Sequence, residues 1–187
     1  MARHEEYGPT GTVVIQGEEA TLVFRRRLPH PPERVWRALT DASELSDWYM
    51  TKASIDGRLG GTINLQAGPS LFHVTGRILT WDPPRVFEHE WKVPPRPELR
   101  SGEDAVIRWE LSRDGDGTVL HLEHRKLNRE TALGFAPGTH AFLDRLRAHL
   151  DRQPLPDWHR RYQEVAPGYP PSWVTRHGFR PRRDSES

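Results

Sequence analysis

The chain has 187 residues, and its 27 Lys plus Arg nearly cancel its 26 Asp plus Glu. That length suits one domain with a terminal tail, and the charge balance supplies no whole-protein field to draw in nucleic acid or an anionic membrane. There is no cysteine, which excludes disulfides and thiol catalysis and confines any zinc site to His and carboxylate ligands.

Residues 1–11 are expected to form a flexible arm. They lack the apolar core of a secretory signal, and nowhere does the chain carry the roughly eighteen consecutive apolar residues of a membrane span. A cytoplasmic location is therefore expected. Val13 to Ile15 and Leu22 to Leu28 are strand-like, with Gln16-Gly17-Glu18 as a turn between them. Arg25-Arg26-Arg27 resembles a nucleic-acid patch in composition. In a strand, however, the three side chains alternate between faces and form no single basic stripe.

A first helix is predicted to start at Pro32, where proline suits the opening position. Glu33 complements its dipole, and Val35, Trp36 and Leu39 share a face. Asp41 can cap a second short helix, with Glu44 three residues on as in a capping box. Leu45, Trp48 and Tyr49 then face the same side. Asp56-Gly57 and Gly60-Gly61 mark turns or a bulge around a short strand from Thr62 to Leu65.

The next strands alternate apolar and polar residues. Phe72, Val74, Gly76 and Ile78 share one face, and Trp81-Asp82-Pro83-Pro84 ends that strand, since proline cannot continue a ladder. Val86 to Val93 places Phe87, His89 and Trp91 on one face. Pro94 to Gly102 reads as a loop. Ile107, Trp109 and Leu111 alternate next, Asp114-Gly115-Asp116-Gly117 is a hairpin turn, and Leu120, Leu122 and His124 alternate against His121 and Glu123. Such strands favour an antiparallel sheet with one wet face. Leu133 to Gly138 reads as a glycine-containing lead-in to an amphipathic helix over Thr139 to Arg152, with Phe142, Leu143, Leu146 and Leu150 on its apolar side. Asp157 can cap a short helix through Val165. From Pro167 the composition is that of a flexible tail. The expected organisation is thus an arm over 1–11, one α+β domain over 12–165 and a Pro/Arg-rich tail over 166–187.

The ordered set PPERVWRALTD…LSDW, Gly60-Gly61, GRILTWDPPRVFEHEW, TVLHLEH and GTHAFLDRLRAHLDRQPLPDW resembles the SRPBCC (START-like) superfamily. Within it, the set is most similar to the branch named after the activator of Hsp90 ATPase, AHSA1. The resemblance spans roughly residues 12–165. It implies a helix-grip fold: a curved antiparallel sheet around a long C-terminal helix, two small helices near one end, and an apolar cavity between sheet and helix. One departure stands out. The family usually carries a tryptophan directly after the glycine that opens the last helix, whereas Gly138 is followed by Thr139. The eukaryotic cochaperone has an extra N-terminal domain for which this chain has no room, so Hsp90 is not expected as a partner.

The inward faces supply the candidate site. Trp48, Phe72, Val74, Phe87, Trp91, Trp109, Leu122, Phe142 and Leu146 converge on the sheet–helix interface. Burial worth about 1.5–3 kcal/mol each accounts for them as a solid core; a binding function requires room among them. His89 and His124 share strand faces with these residues. Each is either a structural group bonded to backbone or water, or a ligand contact or proton carrier. His121 and His124 fall on opposite strand faces and cannot share a metal. His140 and Asp144 stand i and i+4 on a helix, a spacing that more often marks a local pair. No metal and no cofactor are expected, and no nucleotide or hydrolase fingerprint is present. Glu88 and Glu90 lie on the polar strand face, and Arg176, Arg180, Arg182 and Arg183 mark the tail as solubilising or anion-contacting.

The favoured reading is a binding protein for a small apolar or amphipathic molecule held between sheet and last helix, with little or no catalysis. An enzyme using His89 or His124 as acid or base, and a cochaperone-like interaction module using the outer sheet face, are the alternatives. A homodimer is compatible with all three.

Overall fold

The computed structural model describes residues 7–50, 52–67, 72–97 and 99–170. The arginines of the expected tail, Arg176, Arg180, Arg182 and Arg183, lie outside the described residues. Eight strands form one sheet: β1 (Thr12–Gln16), β2 (Glu19–Leu28), β3 (Lys52–Ile55), β4 (Thr62–Ala67), β5 (Phe72–Asp82), β6 (Val86–Val93), β7 (Glu103–Asp114) and β8 (Gly117–Asn128). Their order is β1-β2-β8-β7-β6-β5-β4-β3, and every pairing is antiparallel. Four helices, α1 (Pro32–Thr40), α2 (Ala42–Trp48), α3 (Arg129–Leu150) and α4 (Trp158–Val165), complete the α+β, helix-grip-like fold. The long α3 packs on the sheet through β1, β2 and β8.

The turns form for local reasons. Gly17 closes the β1–β2 hairpin with a φ of 64°, and Gly60 reaches 76° before β4, values at which a side chain is strained. A Cβ on the neighbouring Gly61 would sit 1.9 Å from the Asp56 carbonyl oxygen. The Gly60-Gly61 pair therefore serves one turn twice, by conformation and by space. That turn carries β3 into β4, and β3 itself went unread in the sequence because Lys52-Ala53-Ser54-Ile55 is short and weakly apolar.

Strand alternation sorts the sheet into two faces, with one break. In β5, Ile78 pairs with His89 and Thr80 with Glu88, so Leu79 is an extra residue bulged out of the ladder. A bulge reverses the facing of the residues beyond it. Val74 and Ile78 point inward before it, and Trp81 packs on the inward Phe87 after it, at 5.5 Å between ring centroids. Trp36 of α1 meets both rings, at 5.1 and 6.3 Å. Trp81, expected to end the strand, is thereby recruited to the core, while Leu79 is left 41% exposed.

Two further expectations are corrected. Glu44 does not close a capping box on Asp41. The Asp41 carboxylate accepts from the backbone N–H groups of Ser43 and Glu44, but the Glu44 side chain turns away to Arg34 and Arg37 of α1 and His149 of α3, at 2.7, 2.9 and 2.8 Å. These bonds tie three helices together, and against the opposing effect of burial those from His149 and Arg34 hold the Glu44 pKa low. The last long helix begins at Arg129, ten residues before the expected Thr139, and runs through Pro137. Proline lacks the N–H that would bond to Leu133, which is why the segment reads as a lead-in. The loss is tolerated because Leu133, Ala136 and Gly138 are buried against the rest of the molecule.

α4 covers the opposite side of that glycine-bearing stretch. The Trp158 indole Nε1–H donates to the Gly138 carbonyl at 3.2 Å and the Tyr162 hydroxyl to the Gly134 carbonyl at 3.1 Å. A Cβ at Gly138 would lie 3.1 Å from Trp158. Gly138 thus sits inside the helix rather than opening it, and the aromatic ring against it comes from α4. Packing continues beyond Val165: Tyr169 is buried against Phe24, and its hydroxyl accepts from the Gly11 N–H at 2.9 Å and bonds to His140 Nδ1 at 2.9 Å. His140 and Asp144, read as a local helical pair, are enclosed. Asp144 also takes Arg26 of β2 and Arg161 of α4 at 2.8 and 2.7 Å. Contact with His140 at 3.4 Å and the hydrogen bonds from Arg26 and Arg161 hold its carboxyl well below the usual carboxylate range, against burial.

Candidate ligand-binding site

Transverse rows of side chains cross the inner face of the sheet. One row runs Trp81–Phe87–Trp109–Leu122–Phe24 from β5 to β2, and the next runs Ile78–His89–Ile107–His124–Leu22. The second row holds both candidate histidines, separated by Ile107 of β7. At about 4.8 Å per strand they stand roughly 10 Å apart along the sheet. Trp91 of β6 lies on the same face, opposite Ala105, whose small side chain leaves space for an indole.

From this surface an aromatic band rises toward α3. Trp91 meets His124 edge to face at 5.0 Å, and both meet Phe135 of α3, at 6.4 and 6.0 Å. Phe135 meets Phe72 at 6.0 Å, and His89 lies between Phe87 and Trp91 at 5.0 and 6.3 Å. Tyr49, just past α2, joins Trp91 at 6.4 Å to Phe142 of α3 at 4.7 Å. Phe135 and Phe142 are seven residues apart, two turns along one helix face. Phe142 reaches Trp158 at 5.4 Å, which links the band to α4.

The expected site residues therefore divide. Phe72, His89, Trp91, His124 and Phe142 belong to the continuous band. Phe87 and Trp109 lie in the next row, where Phe87 packs beneath Trp36. Val74, Leu122 and Leu146 are fully buried core. Trp48 is also fully buried, stacked on Tyr49 at 4.9 Å with its Nε1–H donating to the Ala38 carbonyl at 2.9 Å. Two members of the band were missing from the expected set. Phe135 was hidden in the supposed lead-in, and Tyr49, though read as inward-facing, stands at the end of a helix where its reach is not visible from spacing.

The polar groups buried within the band are uncharged near neutral pH. Burial lowers the His89 pKa from 6.5 to about 4, opposed by the bond from Nδ1 to the Glu90 carbonyl at 2.7 Å. Burial, with a smaller contribution from the charge of His89, lowers His124 to about 3. Both rings are neutral near pH 7. In neutral His89 the Nδ1–H is the donor, so Nε2 carries the lone pair. Burial raises the Tyr49 hydroxyl above its ordinary value. On the inner face of β7 the one carboxylate, Glu103, already accepts from the Asn128 backbone N–H and side-chain amide at 3.1 and 3.3 Å. Arg96 lies over the Phe72 ring at 5.6 Å.

Among the described residues, no cluster of three or more His, Asp or Glu side chains could hold a metal ion. No described helix is long and apolar enough to cross a membrane. A cleft at the end of α3, lined by His30, Arg34, Leu150, Asp151, Arg152 and Gln153, is of a different kind. There His30 is already bonded to Asp151, and Arg34 to Glu44, at 2.7 Å each.

The fold has solved relatives. CalU16 from Micromonospora echinospora superposes with a TM-score of 0.65 at 28% identity, covering 86% of this chain and 92% of its own. Protein MLL2253 from Mesorhizobium loti gives 0.64 at 26% identity, covering 72% and 99%. EF2215 from Enterococcus faecalis, a conserved protein of unknown function, gives 0.65 at 14% identity over 84% and 89%, a likeness of fold alone. No curated protein matches the chain significantly. The family of Activator of Hsp90 ATPase homolog 1-like proteins matches residues 29–151, and the chain belongs to that family, within the SRPBCC superfamily.

Proposed function

We propose that the protein binds a small apolar or amphipathic molecule between the inner face of the sheet and α3, against the band formed by Phe72, His89, Trp91, His124, Phe135 and Phe142. The observation that carries this reading is the partial exposure of the band's rim. Phe72, Tyr49, Phe135 and Phe142 are half-buried while the rings beneath them are closed off. A core built for stability alone gains by burying such rings completely. Partly exposed aromatic residues beside neutral histidines have the mostly apolar, sparsely polar character that suits small ligands.

The alternatives gain less support. A general base works best with a pKa near the working pH, and His89 and His124 lie far below it. An interaction surface on the outer face would have to compete with existing pairs, since Glu88 holds Arg108 and Arg125, and Glu90 holds Lys92. Native mass spectrometry of freshly purified protein tests the proposal, with a co-purified small molecule as the expected result. Thermal melts extend it. A hydrophobic ligand at a hundred times its Kd stabilises by about 2.7 kcal/mol, or roughly 5–10 °C for a chain of this size. Phe135→Gln should abolish that gain, read against the variant's own unliganded melting temperature. A clean apo mass with no melting shift from any aromatic probe contradicts the proposal.

A further inference from the structure

Two polar atoms in the band have no partner in the protein. Trp91 Nε1 and His124 Nε2 are both buried and make no hydrogen bond, although their residues are 4% and 2% exposed. Buried polar atoms are nearly always satisfied, so an orphan calls for an occupant. These two belong to rings in edge-to-face contact, with centroids 5.0 Å apart. Two other tryptophans are served: Trp48 Nε1 donates to the Ala38 carbonyl and Trp158 Nε1 to the Gly138 carbonyl.

Resting on the binding reading above, we infer that the site takes an uncharged aromatic compound bearing a hydroxyl group, whose oxygen is held at Trp91 Nε1 and His124 Nε2 while its rings lie among Phe135, Phe72 and Phe142. The chemistry of the two nitrogens selects the group. An indole N–H can only donate, and an unprotonated imidazole nitrogen can accept. A hydroxyl is the small group that accepts from the first and donates to the second at once. A carboxylate or phosphate offers acceptors alone, and no cation on this row neutralises it; the row is Ile78–His89–Ile107–His124–Leu22. Burial keeps both histidines uncharged at neutral pH, so an anion gains nothing from them. At the two nitrogens it would also lose its hydration without a compensating charge, since Arg96 lies over the far ring, Phe72. An ammonium group fails for the complementary reason, because Trp91 presents a hydrogen to it.

Equilibrium dialysis of the full chain at pH 7.5 with three probes of one ring size tests the inference: naphthalene, 2-naphthol and 2-naphthoate. The expected result is that 2-naphthol binds about three- to tenfold tighter than naphthalene, the worth of one or two net hydrogen bonds. 2-Naphthoate should bind at least about tenfold more weakly than 2-naphthol. Trp91→Phe keeps an aromatic ring and removes the N–H. It should bring 2-naphthol and naphthalene to within about twofold of each other, whatever the change in absolute affinity. His124→Leu supplies a second removal should Trp91→Phe fold poorly, and it should erase the preference likewise. Equal binding of naphthalene and 2-naphthol by the native protein overturns the inference while leaving the apolar site standing, since water would then be serving the two nitrogens. Tightest binding by 2-naphthoate also overturns it. Failure of all three probes to bind overturns both this inference and the binding reading beneath it.

Discussion

The two faces of strands β6, β7 and β8 differ by one residue of register and by almost everything else. On the outer face, Glu88 faces Arg108, which faces Glu123, and these three side chains are all in ion pairs. Glu88 takes Arg125 and Arg108, and Arg108 also takes Glu110 at 2.6 Å. One step along each strand, the inner face presents His89, Ile107 and His124, with no charge and with the His124 Nε2 and nearby Trp91 Nε1 unserved. Glu88, Arg108 and Arg125 on the outer face have partners, whereas the two inner-face nitrogens do not. That contrast favours a ligand on the inside of the sheet rather than on its charged surface.

The largest expected break of the contrast is on the inside. Trp48→Ala empties a fully buried indole site and removes the bond to Ala38; a loss of about 3–5 kcal/mol is expected by urea unfolding. Arg108→Ala on the outside should cost about 1 kcal/mol or less in the same assay, because partly solvated ion pairs contribute little.

Acid should come next. The folded-state pKa values of His89 and His124 lie below the unfolded value of 6.5, so below pH 6.5 the unfolded chain binds more protons than the folded one. Stability contributed by the neutral rings is present above pH 6.5 and is lost as pH falls toward about 4 and 3. At pH 5 the cost is about 2 kcal/mol for each ring. Urea midpoints at pH 7.5, 6 and 5 check this, and the double variant His89→Gln, His124→Gln should flatten the slope. A native protein equally stable at pH 7.5 and 5 would show these rings to be solvated.

Smaller effects sharpen the comparison. His124→Leu removes an unserved buried nitrogen without opening a large void, and should stabilise the unliganded protein by about 1 kcal/mol. Glu88→Gln removes the acceptor shared by two arginines on the outside and should destabilise by about 1 kcal/mol. The opposite signs, read from thermal melts under one condition, express the difference between an unfilled polar position and a filled one.

How much of this was legible in the residues depended on periodicity. The alternation of Phe87, His89 and Trp91 against Glu88 and Glu90 assigns faces correctly because no irregularity interrupts β6. In β5 the same reasoning works up to Ile78 and then fails. The bulge at Leu79 leaves no mark in an apolar run, and Trp81 changes face unannounced. The start of α3 was hidden by Gly134, Pro137 and Gly138, which read as breakers. Tertiary contacts override them: α4 lays Trp158 and Tyr162 over the two glycines, and a helix that could not stand alone is held from both sides. With that start went Phe135, the residue that joins Phe72, Trp91 and His124 into one band. Glu44 matched the capping pattern in sequence, but three basic partners on α1 and α3 outcompete a single backbone N–H for its carboxylate. The unserved nitrogens of Trp91 and His124 were beyond reach of the sequence altogether, because satisfaction is a property of neighbours brought together by folding.

The inside–outside contrast is tested most directly by a nuclear magnetic resonance titration of labelled protein with 2-naphthol at neutral pH. The account predicts that the indole N–H signal of Trp91 moves, together with the ring signals of His124, Phe135 and Phe142, while the amides of Glu88, Arg108 and Arg125 stay in place. A titration that leaves Trp91 and Phe135 unmoved, or that shifts the outer-face residues instead, contradicts it.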